Sequence, residues 1–341
     1  MQRCLQLATL AKGNVAPNPM VGAVLVYQQT IIGEGYHQQF GMAHAEVNCI
    51  NSVKQADIPL IQHSTLYVSL EPCAHAGKTP PCTNLIIANK IPTVIIGCVD
   101  VFAAVNGQGI LQLQAAGVNV IVNVLQQQCL AINKHFNYFH QYQQPYIILK
   151  WAQTADKKIA KSNFDAVAIS NQFTNRLVHK WRSQTSAILI GTNTALYDNP
   201  SLTNRYWQGK NPTRIVIDAY LKTPAHFNVL DKQAFTIVFN ATKQAVGLHV
   251  HYILIDFTID IIPQILQQLY HLNIQSVLIE GGATLLQSFI DSGCWNEARI
   301  ITNQQLFLHD GIDAPVLKNE ILQQQFEIQN DAICYFNNQK K

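Results

Sequence analysis

Short apolar runs alternate with amphipathic stretches along this chain, and their spacing predicts strands that alternate with helices. In the first half, the apolar runs predict strands over residues 21–27, 30–36, 65–70, 93–99 and 118–122. The amphipathic stretches predict helices over residues 1–11, 43–54, 82–89 and 108–116. This alternation is typical of an α/β layer architecture.

The same alternation resumes after an aromatic and polar stretch at residues 133–144, where we place a domain boundary. We therefore predict two domains, residues 1–144 and 145–341, as the length of the chain favours. Strands of the second domain are predicted over residues 146–151, 186–190, 213–218, 235–239, 252–255, 276–280 and 299–302. Its helices are predicted over residues 172–181, 263–272 and 283–292.

Composition indicates a globular chain, because 48% of the residues are hydrophobic and only 13% are charged. The formal net charge is +3 and the chain has no long Lys/Arg run, which argues against a nucleic-acid partner. No apolar stretch approaches the ~18 residues of a membrane span, and no signal peptide is visible. The eight cysteines show no paired framework. We expect a cytoplasmic protein with no membrane partner.

Three segments of the first half carry residues that bind zinc: His44-Ala45-Glu46, Glu71-Pro72-Cys73 and Pro81-Cys82. One imidazole and two thiolates would leave the fourth position of zinc to water, whose pKa then falls to about 7. Glu46 could carry the proton that such a water exchanges with an aminopyrimidine. Because residues i and i+2 do not share a helix face, His44 and Glu46 serve one site only if the N-terminal end of their helix faces the metal.

This pattern is the signature of zinc deaminases, although residues 74–81 separate the two cysteines here where two residues are usual. A structural zinc site, or buried thiols beside a surface histidine, is the alternative. His75 could supply the fourth ligand of such a structural site. A structural site has no need of Glu46, however, and the neighbours of His75 suggest a loop.

The order of motifs in the first half resembles the deaminase half of the bifunctional riboflavin biosynthesis enzymes. That family fuses a diaminohydroxyphosphoribosylaminopyrimidine deaminase to a 5-amino-6-(5-phosphoribosylamino)uracil reductase. The matching motifs are Pro17-Asn18-Pro19-x-Val21-Gly22, Gly35-Tyr36-His37, His44-Ala45-Glu46 and Glu71-Pro72-Cys73-x-His75-x-Gly77-Lys78-Thr79-Pro80-Pro81-Cys82.

The resemblance implies a cytidine-deaminase-like N-terminal domain that acts on a pyrimidine carrying a ribose phosphate. It implies one Zn²⁺ per chain, with Glu46 as the catalytic proton shuttle. The implied zinc ligands are His44, Cys73 and Cys82, and the implied substrate contacts are Asn18, His37 and Lys78.

The second half is similar to the reductase domain of the same family, which has a dihydrofolate-reductase-like fold. The matching pieces are Leu149-Lys150 with Asp156, Thr192-x-Thr194, Asp198-x-Pro200-x-Leu202-Thr203-x-Arg205, Arg214-Ile215-Val216-Ile217-Asp218 and Glu280-Gly281-Gly282-Ala283-Thr284-Leu285. In the last piece a strand ends before two glycines and a helix start, an arrangement that presents free N–H groups to a phosphate.

The resemblance implies that NADPH delivers a hydride to C1′ of the sugar and converts a ribosylamino group into a ribitylamino group. The implied substrate contacts are Lys150, Arg182, Leu202, Arg205 and Glu280. The implied NADPH contacts are Gln153, Thr194, Asp198, Gly282, Ala283, Thr284, Leu285, Leu286, Gln287 and Ser288. A homo-oligomer formed through the reductase domain is a further expectation.

Three segments depart from the family pattern. The family's Ser-Leu-Asp-Gly run reads Thr154-Ala155-Asp156-Lys157, and a left-handed backbone at Lys157 would cost about 1 kcal/mol. Ala166-Val167-Ala168-Ile169 replaces Ser-x-Trp-Ile, and Asp100-Val101-Phe102-Ala103 replaces Asp-Pro-Asn-Pro. Two of these departures lie in the reductase half. The alternative hypothesis is therefore a deaminase whose reductase domain is weakened or inactive.

Two functions of other classes compete with this interpretation. A nucleic-acid-editing deaminase would need a basic groove with stacking aromatic side chains, which the small net charge does not support. A non-catalytic partner protein derived from an enzyme is opposed in the first half by the complete set of His44, Glu46, Cys73 and Cys82. In the second half the two alanines at positions 166 and 168 leave it open.

Overall fold

The computed structural model describes residues 1–74, 80–102 and 106–340. The chain forms two compact units, Met1–Gln143 and Gln144–Lys341. Within the described ranges, no helix has both the length and the apolar character that crossing a bilayer requires.

The first unit is built on a five-stranded sheet in the order β2-β1-β3-β4-β5. The strands are β1 Gly22–Tyr27, β2 Thr30–Tyr36, β3 Thr65–Val68, β4 Thr93–Ile96 and β5 Asn119–Ile121. β1 pairs antiparallel with β2 and β3, whereas β3, β4 and β5 run parallel. The helices are α1 Gln2–Thr9, α2 Ala45–Asn51, α3 Cys82–Ala88, α4 Gln108–Ala115, α5 Gln126–Ile132 and α6 Lys134–Tyr142, with a 3-10 helix at Gln55–His63.

Apolar runs predicted this sheet, and the structure buries alternate residues of its strands β3 and β4. In β3 and β4 every second residue is fully buried, namely Leu66, Val68, Val94 and Ile96. This period of two matches the alternation of side chains across a strand. The predicted strands and helices of this half are all present, and their ends differ by a few residues.

Helices α5 and α6 were not predicted. The aromatic residues of 133–144 indicated only a change of pattern, yet they form a short amphipathic helix that buries Phe136 and Phe139. These two positions are three residues apart, which is the spacing of one helix face. The many glutamines around them obscured this spacing.

The carboxylate of Glu71 joins two loops at the carboxyl edge of the parallel strands. It follows β3 in a buried position and accepts hydrogen bonds from four backbone N–H groups. The donors, at 3.2, 2.9, 2.9 and 3.3 Å, are Asp100, Gly107, Gly109 and Ile110. A Cβ at Gly109 would lie 2.1 Å from the carbonyl oxygen of Pro72. The start of α4 can therefore approach Pro72 this closely only because residue 109 is glycine. Glu71 thereby fixes the backbone that leads into Cys73.

The second unit contains a ten-stranded sheet in the order β11-β12-β10-β9-β8-β13-β6-β14-β17-β16 and a two-stranded sheet, β15-β7. The strands are β6 Tyr146–Thr154, β7 Lys158–Lys161, β8 Ala187–Gly191, β9 Thr213–Ile217, β10 Thr236–Asn240, β11 Ala245–Val246, β12 Val250–Leu254, β13 Ser276–Ile279, β14 Glu297–Asn303, β15 Gly311–Asp313, β16 Glu320–Ile328 and β17 Asp331–Asn338. The helices are α7 Gln172–Ser183, α8 Thr192–Asp198, α9 Ile261–His271 and α10 Ala283–Asp291, with a 3-10 turn at Asn228–Leu230.

From β12 to β14 all neighbouring strands of the large sheet are parallel, whereas β11, β17 and β16 pair antiparallel at its two sides. The parallel strands are continuous apolar runs because helices cover them. All four residues of β13 are buried, for example. The predicted strands and helices of this half are present as well.

Several elements of the second unit were not predicted: β7, α8, β11, β15, β16 and β17. The physical reason is clearest in β16, whose residues are almost all exposed and include a run of three glutamines. Backbone pairing with β17, rather than an apolar face, holds this strand in the sheet.

Lys157 occupies the tight turn between β6 and β7. Its φ of 57° is left-handed, as expected from the position where the family has glycine. The neighbouring Asp156 accepts hydrogen bonds from the backbone N–H groups of Leu308 and His309 at 3.3 and 2.7 Å. Hydrogen bonds from a distant part of the chain therefore hold the turn, although the backbone at Lys157 is strained.

Replacing Lys157 by glycine should stabilise the second unit. The substitution removes the left-handed strain, which stabilises the fold, but it also adds chain entropy to the unfolded state, which destabilises the fold. The net gain in the free energy of unfolding is up to about 1 kcal/mol. Urea denaturation measures the change. The control Lys161→Gly, in β7 with an ordinary backbone, should destabilise instead. Equal changes in the free energy of unfolding for Lys157→Gly and Lys161→Gly would show that the backbone at Lys157 is not strained.

Replacing Glu71 by glutamine should destabilise the first unit by about 1–3 kcal/mol, because an amide cannot accept all four buried N–H bonds. Thermal unfolding measures this change. The matched control is Glu34→Gln, which removes only a surface ion pair to Arg3 and should change stability by less than about 1 kcal/mol. A loss no greater than that of the control would show that the Glu71 bonds do not stabilise the fold.

Candidate active sites

Two helix starts carry the candidate metal ligands of the first unit. His44 is the residue before α2 and has an extended backbone (φ −72°, ψ 167°), so its imidazole projects from the helix end. Glu46 lies in the first turn of α2. Cys82 is the first residue of α3, where the helix dipole favours a thiolate. The helix end faces the site, as the spacing of His44 and Glu46 required.

The three ligand atoms converge. The Nδ1 atom of His44 lies 3.6 Å from the Sγ atom of Cys73 and 3.4 Å from that of Cys82. All three atoms lie within 4.8 Å of one another. Zinc bonds of about 2.3 Å to sulfur and about 2.0 Å to nitrogen, at tetrahedral angles, place ligand atoms roughly 3.5–3.8 Å apart. The donor set and its spacing therefore fit zinc.

The pKa values of the two cysteine thiols shift in opposite directions. A hydrogen bond from Cys82, opposed by burial and assisted by His44, lowers the pKa of Cys73 to about 4. The same bond and burial raise the pKa of the Cys82 thiol. The backbone N–H of Cys82 also donates to the sulfur of Cys73 at 3.4 Å. A divalent cation bound here would displace the remaining proton.

Glu46 lies beside the ligands and is almost completely buried. Burial, followed by the charge of Cys73, raises the pKa of its carboxyl group, while a hydrogen bond with Cys82 has the opposite effect. A carboxyl group with a raised pKa and a position next to the metal ligands can take up and release a proton.

Asn18 and His37 lie next to the same site. The side-chain nitrogen of Asn18 is 3.1 Å from Nε2 of His37, and Nδ1 of His37 is 3.0 Å from the carbonyl oxygen of Ala43. A carbonyl can only accept, so Nδ1 carries the proton and Nε2 accepts from Asn18. Burial lowers the pKa of His37, and its ring lies edge-on to that of His44 at 5.5 Å.

The structure thus brings together six of the predicted residues of the first unit: Asn18, His37, His44, Glu46, Cys73 and Cys82. Lys78, predicted as a substrate contact, and His75, the alternative fourth ligand, lie outside the described residues. Glu71 had no predicted role, although a charged residue directly after a buried strand was the available signal.

A buried charge cluster forms the centre of the second unit, where Lys150 of β6 and Arg182 of α7 meet Glu280 at the end of β13. Arg182 donates two hydrogen bonds to the carboxylate of Glu280, at 2.9 and 2.8 Å. Nζ of Lys150 lies 3.5 Å from the same carboxylate. Burial alone would raise the pKa of Glu280, but the charges of Arg182 and Lys150 bring it to about 2. The cluster keeps a net positive charge that suits an anionic substrate.

The predicted substrate segment around Leu202 and Arg205 lies against this cluster. Arg182 donates to the carbonyl oxygen of Thr203 at 3.4 Å, and Arg205 donates to the hydroxyl of Ser201 at 3.1 Å. Leu202 is buried in a hydrophobic cluster. The hydroxyl of Thr203 is also buried, and it has no hydrogen-bond partner among the described residues. An orphaned donor at this position fits a missing ligand.

The predicted cofactor residues gather at the carboxyl ends of the neighbouring strands β8 and β13. Gly282 precedes α10, whose first turn has free backbone N–H groups. A Cβ at Gly282 would lie 3.5 Å from the hydroxyl of Thr194, and one at Gly281 would lie 2.6 Å from Leu285. The start of α10 thus offers backbone N–H groups that fit the phosphates of a dinucleotide.

The remaining predicted cofactor residues have mixed surroundings. Gln153 is hydrogen-bonded to Thr302 and Trp151, and burial raises the pKa of Asp198. Leu286 is completely buried in the core. The side chains of Gln287 and Ser288 bond to groups of the second unit: Asp291 and Val316 for Gln287, and Leu285 for Ser288. The helix start, rather than its later side chains, is the part suited to a phosphate.

The segment that lacks the family's Ser-x-Trp-Ile motif is anchored by other contacts. Phe164 stacks on Tyr197 of α8 with a centroid distance of 4.2 Å and an interplanar angle of 6°. The carbonyl oxygen of Ile169 accepts a hydrogen bond from Asn303. Aromatic packing thus reaches this loop although Ala168 replaces the tryptophan.

Two family models match the chain. Residues 1–98 match the cytidine and deoxycytidylate deaminase zinc-binding region, and residues 145–306 match the RibD C-terminal domain. Riboflavin biosynthesis protein RibD of Bacillus amyloliquefaciens is 38% identical over 312 residues, which are 87% of this chain and 81% of that protein. RibD of Actinobacillus pleuropneumoniae is 36% identical over 307 residues, 87% of this chain and 80% of that protein.

Solved structures agree with these relatives. A diaminohydroxyphosphoribosylaminopyrimidine deaminase/5-amino-6-(5-phosphoribosylamino)uracil reductase from Thermotoga maritima matches with a TM-score of 0.90 and 34% identity, covering 99% of this chain and 97% of its own. Acinetobacter baumannii RibD matches with a TM-score of 0.89 and 26% identity, covering 98% and 97%.

These comparisons confirm the predicted fold class, the recognised family and both enzyme domains. The RibD C-terminal model spans the positions of Lys157, Ala166 and Ala168, so the alternative of a deaminase without a working reductase is not favoured. With a zinc-binding deaminase region followed by an NADPH-dependent reductase domain, the chain belongs to the RibD family of riboflavin biosynthesis enzymes.

Proposed function

We propose that this chain catalyses two consecutive steps on one pyrimidine ribose phosphate, with the deaminase in residues 1–144 and the reductase in residues 145–341. The first step is hydrolytic deamination of 2,5-diamino-6-ribosylamino-4(3H)-pyrimidinone 5′-phosphate, and the second reduces the ribosyl chain to ribityl with NADPH. The observation that carries the proposal is the convergence of His44, Cys73 and Cys82 beside buried Glu46. The names of the RibD relatives supply the substrate class.

In the deaminase, His44, Cys73 and Cys82 hold zinc, which supplies a water that is nucleophilic at neutral pH. Glu46 takes a proton from the attacking water and gives it to the ring nitrogen, and then carries the second proton, from the hydroxyl group added to the ring carbon, to the departing amine. Water thus replaces the amino group as a carbonyl oxygen, and ammonia leaves. The buried position of Glu46 beside the zinc ligands suits a group that must hold a proton between these transfers.

Asn18 and His37 orient the pyrimidine. Because His37 accepts from the amide nitrogen of Asn18, the amide is fixed and its oxygen remains available to accept from an amino group of the substrate. His37 stays neutral because burial lowers its pKa, so it adds no charge next to the zinc ligands. Lys78 is proposed to meet the ribose phosphate.

In the reductase, NADPH supplies the hydride, and the chain supplies orientation and charge. The start of α10 at Gly282 receives a cofactor phosphate, with Gln153, Thr194 and Asp198 along the cofactor. Arg205 clamps the substrate phosphate through its forked guanidinium.

The charge cluster next to that clamp holds the sugar, with Leu202 as a packing surface. Lys150 can donate a proton to the sugar oxygen as the ring opens, while Arg182 and Glu280 keep its ammonium in place. Burial lowers the pKa of Lys150, which favours that donation. Hydride at C1′ and one proton then complete the ribityl chain.

Replacing Glu46 by glutamine should lower ammonia release by roughly 10²–10⁴-fold, because the proton carrier is lost. Zinc content, measured by metal analysis, should stay near one per chain, since Glu46 is not a ligand. NADPH oxidation with the deaminated intermediate should be unchanged. The control Cys82→Ser should lose both zinc and ammonia release.

This coupled assay, which follows ammonia and NADPH separately, also tests the proposal as a whole. Ammonia release by E46Q at the wild-type rate would remove Glu46 from the mechanism. A wild-type chain that releases ammonia but never oxidises NADPH would confine the function to the first unit.

We also propose that the chain works in the cytoplasm as a homo-oligomer formed through the second unit. All eight cysteines are free thiols, as is usual in a reducing compartment. The outer strand β16 exposes Ile321 by 44% and Leu322 by 50%, and an outer strand with exposed apolar residues among its polar ones favours pairing with a second chain.

Introducing a lysine on this edge should weaken the assembly. Leu322→Lys should shift the molar mass measured by light scattering towards that of one chain, because a charge cannot be buried there. The control Gln323→Lys changes an already polar position and should leave the mass unchanged. A wild-type chain that is monomeric at micromolar concentration would contradict the proposal.

A further inference from the structure

A buried histidine on α7 lies next to the reductase cluster without belonging to it. His179 is one helical turn before Arg182, so the two side chains lie on the same face of α7. Only 1% of His179 is exposed. Its Nδ1 atom lies 3.0 Å from the backbone nitrogen of Arg205 and accepts the hydrogen bond from that N–H.

The segment held by this bond is strained. Leu202 has a φ of 53°, a left-handed conformation that a leucine adopts only when its surroundings enforce it. Helix α7 holds the segment at two points: Arg182 donates to the carbonyl oxygen of Thr203, and His179 accepts from Arg205. The ring of Tyr206 also lies edge-on to His179 at 4.7 Å.

The bond requires a neutral imidazole, since a protonated Nδ1 would face the N–H of Arg205 with another N–H. Burial is the main reason that the pKa of His179 falls to about 4. The cations Arg182, Arg205 and Lys150 lower it further, and Glu280 opposes them. His179 therefore remains an acceptor at neutral pH.

We propose that His179 is a positioning residue for the reduction: it fixes the backbone at Arg205 so that the guanidinium is aimed at the phosphate of the substrate. Without the bond, the segment can relax from the strained conformation at Leu202 and carry Arg205 with it. The inference rests on the proposed function of the second unit, in which Arg205 binds that phosphate.

The test compares two substitutions in the full zinc-loaded chain. His179→Leu removes the acceptor, whereas His179→Asn places an amide oxygen close to where Nδ1 was. We expect H179L to raise KM for the deaminated ribosylamino substrate about tenfold, with a smaller change in kcat and an unchanged KM for NADPH. H179N should return KM to within about threefold of wild type. A wild-type KM in H179L would overturn the inference.

A second comparison shows whether His179 acts through Arg205. Arg205→Gln and the double variant H179L/R205Q should have nearly the same KM, because the guanidinium is already absent. If the KM increases caused by H179L and R205Q multiply in the double variant, the inference is overturned. With the dephosphorylated substrate, wild type and H179L should have the same high KM. A tenfold difference in KM that persists on this substrate would also contradict the inference.

The same chain contains the controls. Ammonia release should be equal in all variants, because the deaminase lies in the first unit. If H179L fails to bind NADPH, the second unit is misfolded, and His179→Ala, which also removes the acceptor, replaces it in both comparisons. A KM raised for the phosphorylated substrate alone then supports the inference, and an equal rise on the phosphorylated and dephosphorylated substrates contradicts it. Absence of NADPH oxidation by the wild type would instead refute the proposed function.

Discussion

The first unit depends on holding two sulfur atoms and one imidazole nitrogen at close range. Two thiolates repel each other, and a divalent cation bound to both would offset that repulsion. Both Cys82 and His44 lie where helices begin, at which backbone N–H groups offset negative charge. The buried carboxyl group of Glu46 is a consequence of the same placement, because the first turn of α2 follows His44 directly.

In the second unit a buried negative charge is stabilised by side chains alone. One carboxylate, Glu280, pairs with the cations of both Lys150 and Arg182, so its buried negative charge is compensated and the cluster keeps one positive charge. A cluster of this kind contributes little net stability, because desolvation offsets most of the attraction between the charges. Its value lies in orientation: β6, α7 and β13 each supply one member, and the fold fixes their separation.

Local patterns predicted much of this molecule. Apolar runs predicted β3 and β4, and the spacing of His44, Glu46, Cys73 and Cys82 predicted the candidate metal site. Contacts between distant parts of the chain gave no local signal. Glu71 binds backbone groups far along the sequence, and an exposed strand such as β16 depends on its neighbour. The sequence pattern also does not distinguish Leu286, which packs in the core, from Gly282, which lies at the start of the same helix, as a cofactor contact.

The four N–H groups bound by Glu71 belong to the backbone, so the identity of the side chains there does not alter the bonds. Substitutions at Val101 and Phe102 therefore leave the acceptor and the donors of these four bonds in place. The Val101-Phe102 pair, which departs from the Pro-Asn of the family pattern, is compatible with this anchor for that reason. One acidic residue outside the loop thus holds a backbone whose sequence differs from that pattern.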